Sequence, residues 1–472
     1  MATAKINIGF GLATSFVITV LATIYFLLFT FLAWKNFRLA VILFIVFLPA
    51  HLVRFQIGPL PSTALELSFG ALVLIWLVKY GRHDFKNIWM ISQKHKIFFI
   101  AFDLFFIASV ISIFVSDMPI PSLGWWRAYF LEPMILFLIL IGRCHSHENG
   151  NPDNRPLDSR SGGNDSLNAT DLIWGLAFST LSISVYAIVQ EFTGWGIATP
   201  EWAGETTRRV TAFFSSPNAV GLYLAPILIL TVIVIASKAK QSHNTGSVNN
   251  GIAASLRLLA MTTLATLSLV TIIFTKSQGA WVGLAAGALV FLFFAGYKKI
   301  TVAATVLGVV FSLLAPSMRQ AVFFQDQANQ NRLRLWGYTR TFLTESPKNF
   351  LLGTGIRQFF RKVQKPYYND KILERLIFPH NIFLNFWTEI GLAGMLAAVM
   401  IIGYVFYLAG KIRKYSRIVG AGLLGSLTVL VVHGLVDVPY FKNDLSFLFW
   451  IIIAVIFISY YENIYQSQTV RL

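Results

Sequence analysis

Cysteine is nearly missing from this chain: Cys144 is the single one among 472 residues. That excludes an internal disulfide framework and a cysteine-rich metal site. Charge is also scarce, with 12% of residues charged against 56% hydrophobic. Such a balance excludes a soluble enzyme and leaves a polytopic membrane protein. Acidic residues are the scarcer sign, 21 Asp and Glu against 38 Lys and Arg, for a net charge of +17. The excess sits in membrane-flanking loops and one basic segment, so a nucleic-acid partner is not expected. There is no internal repeat and no Asp-x-Asp pair in segment 316–380. The first apolar run is long, without a basic n-region or a small-residue cleavage site, and is expected to stay as a membrane helix.

What is present is a series of apolar runs close to the roughly 20 residues that span a bilayer. They lie near 9–33, 37–53, 60–79, 97–116, 123–142, 171–191, 217–236, 256–275, 279–296, 299–315, 383–409, 418–438 and 445–460. The expected fold is therefore all-α and polytopic, with about 12–14 transmembrane helices, 13 by this count, and one long external loop carrying amphipathic helices. Lys and Arg in alternate loops set the orientation. One side collects 20 of them; the other holds 18, of which 11 lie in segment 316–380. Long segments are poor topology signals, and without this one the split is 20 to 7. The side with 20 is expected to be cytoplasmic, 316–380 external, and the N-terminus outside. Residues 143–170 and 237–255 are rich in Asn, Ser, Gly and Asp and are expected to be flexible cytoplasmic loops. His145 and His147 in the first of them read as parts of a solvated linker rather than metal ligands.

The stretch Phe378–Gly394, FPHNIFLNFWTEIGLAG, carries the strongest chemical signal. Pro379 suits a helix's first turn or the residue before it. At helical spacing His380, Leu384, Trp387, Gly391 and Gly394 share one stripe, and the glycines would admit a neighbouring membrane helix. Glu389 points to the opposite side and cannot orient His380. The positive end of the helix dipole favours neutral imidazole, the form a general base needs; the plainer reading is an interfacial helix cap. Segment 316–380 has a net charge of +7 before His380. Arg332, Trp336 and Arg340 fall at i, i+4, i+8 on an amphipathic helix expected to lie on the membrane surface, apolar side down. Attraction to lipid headgroups explains basic residues in general; a phosphate-bearing substrate explains why they lead to His380, because arginine offers planar paired donors. The turn at Gly353 and Gly355 reads as a loop turn, or as backbone N–H groups open to an anion. His433 and Asp437, i and i+4 at the end of a span, fit a structural helix-end pair or a catalytic one. Arg127 and Glu132 are similarly open between an interfacial and a functional role.

These stretches form a pattern. His380-Asn381 is followed by nine residues and then Gly391-x-x-Gly394. Arg332-x-x-x-Trp336 precedes a proline and LLGTGIRQF. Arg208-Arg209 is followed by Phe-x-x-Pro217-Asn218. From about Gln190 to the C-terminus the chain resembles the O-antigen ligase and O-antigen polymerase family. That resemblance implies a GT-C-like, metal-independent membrane glycosyltransferase without cofactor, acting at a bacterial inner membrane with its active site facing the periplasm or exterior. The donor would be a polyprenyl-diphosphate-linked glycan and the acceptor a glycan, lipid A-core or protein, with membrane lipids around. His380 would be the catalytic base and Arg332 the grip on the donor diphosphate, joined by Arg208, Arg209, Lys276 and Gln278. Asn381, Trp336, Gly391, Gly394, His433 and Asp437 would support them, and a lipid groove would run beside Gly391 and Gly394. One departure stands out: Thr275-Lys276-Ser277-Gln278-Gly279 occupies the family's Thr-x-Ser-Arg-Gly, so a glutamine replaces the expected second phosphate-binding arginine. The implied organisation is 1–190 as N-terminal membrane helices and 191–472 as the catalytic region. A small-anion transporter is the rival, but it would place ionisable residues near the bilayer midplane, whereas here they concentrate in 316–380.

Overall fold

The long apolar runs fold as α-helices, as lipid demands of segments whose backbone cannot bond to water. The computed structural model describes residues 12–57, 60–144, 166–242, 248–314, 316, 319–320, 323–367 and 376–469. The first half comprises α1 (Leu12–Lys35), α2 (Phe37–Val46), α3 (Ala64–Lys79), α4 (Gly81–Lys94), α5 (Lys96–Val115), α6 (Pro119–Trp126), α7 (Glu132–Gly142) and α8 (Ala169–Thr193). There follow a single turn α9 (Pro200–Ala203), then α10 (Pro217–Ser242), α11 (Val248–Phe274), α12 (Gln278–Ala295) and α13 (Lys298–Leu314). Two shorter helices, α14 (Gln327–Glu345) and α15 (Pro347–Leu352), precede the last three, α16 (Ile382–Ile412), α17 (Arg417–Gly434) and α18 (Asn443–Thr469). Among the described residues the named strands are Arg54–Ile57 and Leu60–Thr63, one antiparallel hairpin that pairs Arg54 with Thr63.

The chain is thus an all-α, polytopic membrane protein. Nine helices among the described residues are long and apolar enough to cross a membrane, and they coincide with nine of the expected runs. The others differ for local reasons. The run 37–53 yields a ten-residue helix, α2, before Pro49 enters a 3₁₀ turn. The run 60–79 begins in the hairpin, and α3 then meets α4 at 92°. The run 299–315 gives α13, 17 residues long. The expected loop 237–255 is largely helical, since α10 continues to Ser242 and α11 begins at Val248. Most of the loop 143–170, with His145 and His147, lies outside the described residues. Its end is ordered: the Asn168 side chain accepts from Asp171 N at 2.8 Å while Asp171 accepts from Asn168 N at 3.2 Å, a reciprocal N-terminal cap.

The centre of the bundle is α18, apolar on every side and almost wholly buried from Leu445 to Ile458, as expected of a helix with no polar stripe. Beside it α12 and α17 cross closely at glycine. A Cβ on Gly287 would meet the Val429 side chain and lie 2.7 Å from the Gly425 carbonyl oxygen. Gly287→Ala is expected to lower stability by about 1–3 kcal/mol through overpacking, read as a lower thermal midpoint of the detergent-extracted protein. An unchanged midpoint would show that these helices do not approach so closely.

Helix α16 is broken at Ile390 (φ −128°, ψ 15°) and Gly391 (φ 75°, ψ 176°). The break has a partner. Thr354 N and Oγ1 donate to the Thr388 carbonyl at 2.6 and 2.8 Å, satisfying an acceptor that the broken helix leaves unpaired. Gly391 faces the Leu351–Leu352 backbone, and Gly394 faces Ile390 of its own helix. The continuous stripe from His380 to Gly394 is therefore corrected, and so is the groove beside the two glycines: Gly391 receives the end of the short helix α15 rather than a membrane helix. The Gly353–Gly355 turn likewise has N–H groups turned inward, with Gly353 N donating to Asn349 O at 2.9 Å.

Candidate active site

The site forms where α16 begins, against the loop 435–442 between α17 and α18. Helix α16 starts at Ile382, three residues after Pro379, later than the proline suggested. Asn381 is its N-cap, accepting from Phe383 N at 3.0 Å and Leu384 N at 3.1 Å. Its amide nitrogen donates to Leu435 O at 3.0 Å, so one side chain caps α16 and ties it to the end of α17. His380 precedes the cap with φ 52°, a left-handed backbone that a histidine rarely adopts. That turn aims its ring into the loop, where Nδ1 lies 3.2 Å from Asp437 Oδ1. The same oxygen accepts from Val438 N at 2.9 Å. Burial alone would raise the Asp437 pKa, but the facing His380, with His433 and Arg332 nearby, holds it well below the usual carboxylate range. An anionic Asp437 favours the proton on His380 Nδ1 and leaves Nε2 as the acceptor. Asp437 thus belongs with His380 in space, not only with its sequence neighbour His433.

Helix α14 approaches from the other side. Arg332 donates from Nε to Val436 O and from Nη1 to Asn329 Oδ1, both at 2.8 Å. One turn on, Trp336 Nε1 donates to Pro379 O at 2.9 Å. Arg332 and Trp336 therefore brace both sides of the His380–Asp437 pair, while Arg340 is exposed. An adjoining face of α14, with Leu335, Phe342 and Leu343, packs on Phe359 and Val363. This corrects the membrane-surface placement: protein covers the apolar side.

A second guanidinium comes from the segment before α10. Arg209 donates to Thr275 O at 3.0 Å and to Asn218 Oδ1 at 3.3 Å. Burial, and then the like charge of Arg332, lower its pKa, so two cations share one electrostatic environment. Arg208 does not join them. Its guanidinium is committed to backbone carbonyls, Glu191 O at 2.6 Å and Ala203 O at 3.3 Å, which corrects its expected place in the clamp. Lys276 is exposed in a left-handed turn (φ 49°). Gln278 is half-buried at the start of α12, and its side chain makes no hydrogen bond among the described residues. Arg127 pairs with Glu66 at 2.6 Å and Glu132 at 3.2 Å, a tie between α3 and α7.

His433 is 1% exposed and sits in a slot of three glycines. A Cβ on Gly279 would lie 3.0 Å from its Nε2, one on Gly221 3.5 Å from its Cε1, and one on Gly283 3.1 Å from its Cβ. Sequence reading missed this slot, and it missed Gln190. That buried side chain accepts from Thr211 N at 2.9 Å and Ala212 N at 2.7 Å and donates to Ala212 O at 3.2 Å. It fixes the backbone two residues after Arg209; the available signal was a lone amide in an apolar run.

An anionic carboxylate holding a histidine, with two arginines close by, can take a proton beside a bound anion. The architecture defines a polytopic helical membrane protein with this polar cluster at one end of its bundle. Residues 263–399 match the family described as O-Antigen ligase. The match contains Gln278, Arg332, Trp336, His380 and Asn381; Arg209, His433 and Asp437 lie outside it. No curated protein matches the chain.

Proposed function

We propose that this protein is a glycosyltransferase that moves a glycan from a polyprenyl-diphosphate carrier to an acceptor hydroxyl, at the outer face of a bacterial inner membrane. The observation that carries the reading is the His380–Asp437 pair, at 3.2 Å, set beside Arg332 and Arg209. The acceptor oxygen attacks the anomeric carbon, forming the new C–O bond. The anomeric bond to phosphate breaks, and its electron pair leaves with the polyprenyl diphosphate. The acceptor proton passes to His380 Nε2, and Asp437 stabilises the imidazolium that results. Arg332 and Arg209 offset charge growing on the leaving diphosphate, the role that fixed donors perform best in a site shielded from water. Gln278 contributes a hydrogen bond without charge. The 20-to-7 split of basic residues supports an outward-facing site. The acceptor is another glycan, lipid A-core or a protein hydroxyl.

The test uses purified protein with a radiolabelled polyprenyl-diphosphate glycan and an acceptor fraction from the native envelope. Release of polyprenyl diphosphate together with label on the acceptor is expected. Release no faster than in the protein-free control would overturn the reading.

A further inference from the structure

Beside this site lies a buried polar group that the proposed chemistry does not use. Glu389 Oε2 accepts from Arg357 N at 2.6 Å, while its Oε1 has no partner. Asn385, one turn earlier on α16, and Gln358, next to Arg357, each have both side-chain polar atoms without a partner. All three residues are at most 1% exposed. Five unpaired polar atoms thus belong to Glu389 itself and to residues one helical turn or one position from the partners of a single anchoring bond, where native interiors normally leave few. Half-buried Arg357 forms the rim with Trp125, its guanidinium 4.9 Å from the Trp125 ring and 5.9 Å from that of Phe378. Phe378 is two residues from His380. Arg357 itself has φ 61°, a second left-handed backbone close to the site.

The mixture of atoms restricts the ligand. A metal ion would serve the oxygens and leave the amide nitrogens unpaired. A phosphate would serve the nitrogens and leave the amide oxygens without a donor. A hydroxyl both donates and accepts, so it serves all of them. Depth allows it as well. The part of α16 after its break, 392–412, is about 31 Å long at 1.5 Å per residue, enough by itself for about 30 Å of hydrocarbon. The turns before the break at Ile390 therefore project beyond the lipid core. We propose that Asn385, Glu389 and Gln358 form the floor of a sugar-hydroxyl subsite adjoining His380, with Trp125 and Arg357 at its rim. This rests on the glycosyl-transfer reading and deepens it: the subsite holds a ring of the glycan next to the reacting hydroxyl.

The test is direct binding to protein in lipid nanodiscs, free of sugar-based detergent. Methyl glycosides of glucose, galactose, mannose and N-acetylglucosamine are titrated, with tryptophan fluorescence as the readout. At least one should give a saturable change that Trp125→Phe removes. Gln358→Leu and Asn385→Leu should weaken its Kd by about tenfold or more, as expected when paired hydroxyls lose their partners. Should the leucine variants not extract as monodisperse protein, the near-isosteric Gln358→Glu and Asn385→Asp replace them, with the same expected weakening. An unchanged Kd in folded variants, or no saturation with any glycoside, would overturn the subsite and leave interior water as the cluster's partner. His380→Ala should keep glycoside binding. Binding lost in the floor variants while the wild-type protein releases polyprenyl diphosphate no faster than the protein-free control would remove the glycosyl-transfer reading alone. Transfer lost in His380→Ala with binding unchanged in the floor variants would remove the subsite alone.

Discussion

His380→Ala is expected to lower glycan transfer by about 10²–10⁴-fold, the usual contribution of a positioned general base, while expression and donor binding stay near wild type. The substitution removes a proton acceptor and no phosphate ligand. Asp437→Asn should also lose activity, because an amide neither fixes the Nδ1–H tautomer nor stabilises an imidazolium. The double variant should be no slower than His380→Ala alone, since both residues act through one ring and their losses cannot add. Additive losses would separate Asp437 from the base. The sign of the pH effect is also fixed. Asp437 has a depressed folded pKa, so its stabilising contribution is present above the ordinary carboxylate range and is lost as pH falls through that depressed value. Activity lost in mild acid is therefore not protonation of Asp437. Near wild-type transfer in His380→Ala would reduce the start of α16 to a helix cap and end the mechanism.

Hydropathy made the bundle legible wherever a run was uninterrupted, because lipid leaves such a segment no structure but a helix. It failed where short-range geometry overrides composition: at Pro49, at the hairpin before α3, and at the break in α16. That break is hidden because apolar residues continue through Ile390 and Gly391 and the helical period does not falter. Its cause, the docking of Thr354 on Thr388, is a contact across 34 positions. Within the site, His380, Asn381, Arg332 and Trp336 stand out by type and spacing. The partnership of His380 with Asp437 does not, because 57 residues separate them and spacing pairs Asp437 with His433 instead. The neighbours Arg208 and Arg209 are equivalent as sequence. Only the fold shows that Arg208 is committed to carbonyls while Arg209 shares an environment with Arg332.

Arg332→Ala is expected to weaken donor binding as well as turnover, with a loss of about 10²–10³-fold in transfer, the scale of removing one fixed donor from a developing anion. Two of its nitrogens are already committed, Nε to Val436 O and Nη1 to Asn329 Oδ1, which leaves Nη2 to meet a phosphate oxygen. Arg332→Lys should therefore rescue poorly: an ammonium cannot hold the loop and face the donor at once, as a planar fork can. Gln278→Arg is the complementary change. It places a second charge at the start of α12, near Arg209, and should preserve or raise donor affinity. The measurements are the donor Kd and the transfer rate for all three variants. Parallel loss of both in Arg332→Ala, with gain or no change in Gln278→Arg, fits a diphosphate clamp. A donor Kd within about twofold of wild type beside a large loss of transfer would instead make Arg332 a brace. It would then act through Val436 on the loop that carries Asp437, and the diphosphate would have to be held elsewhere.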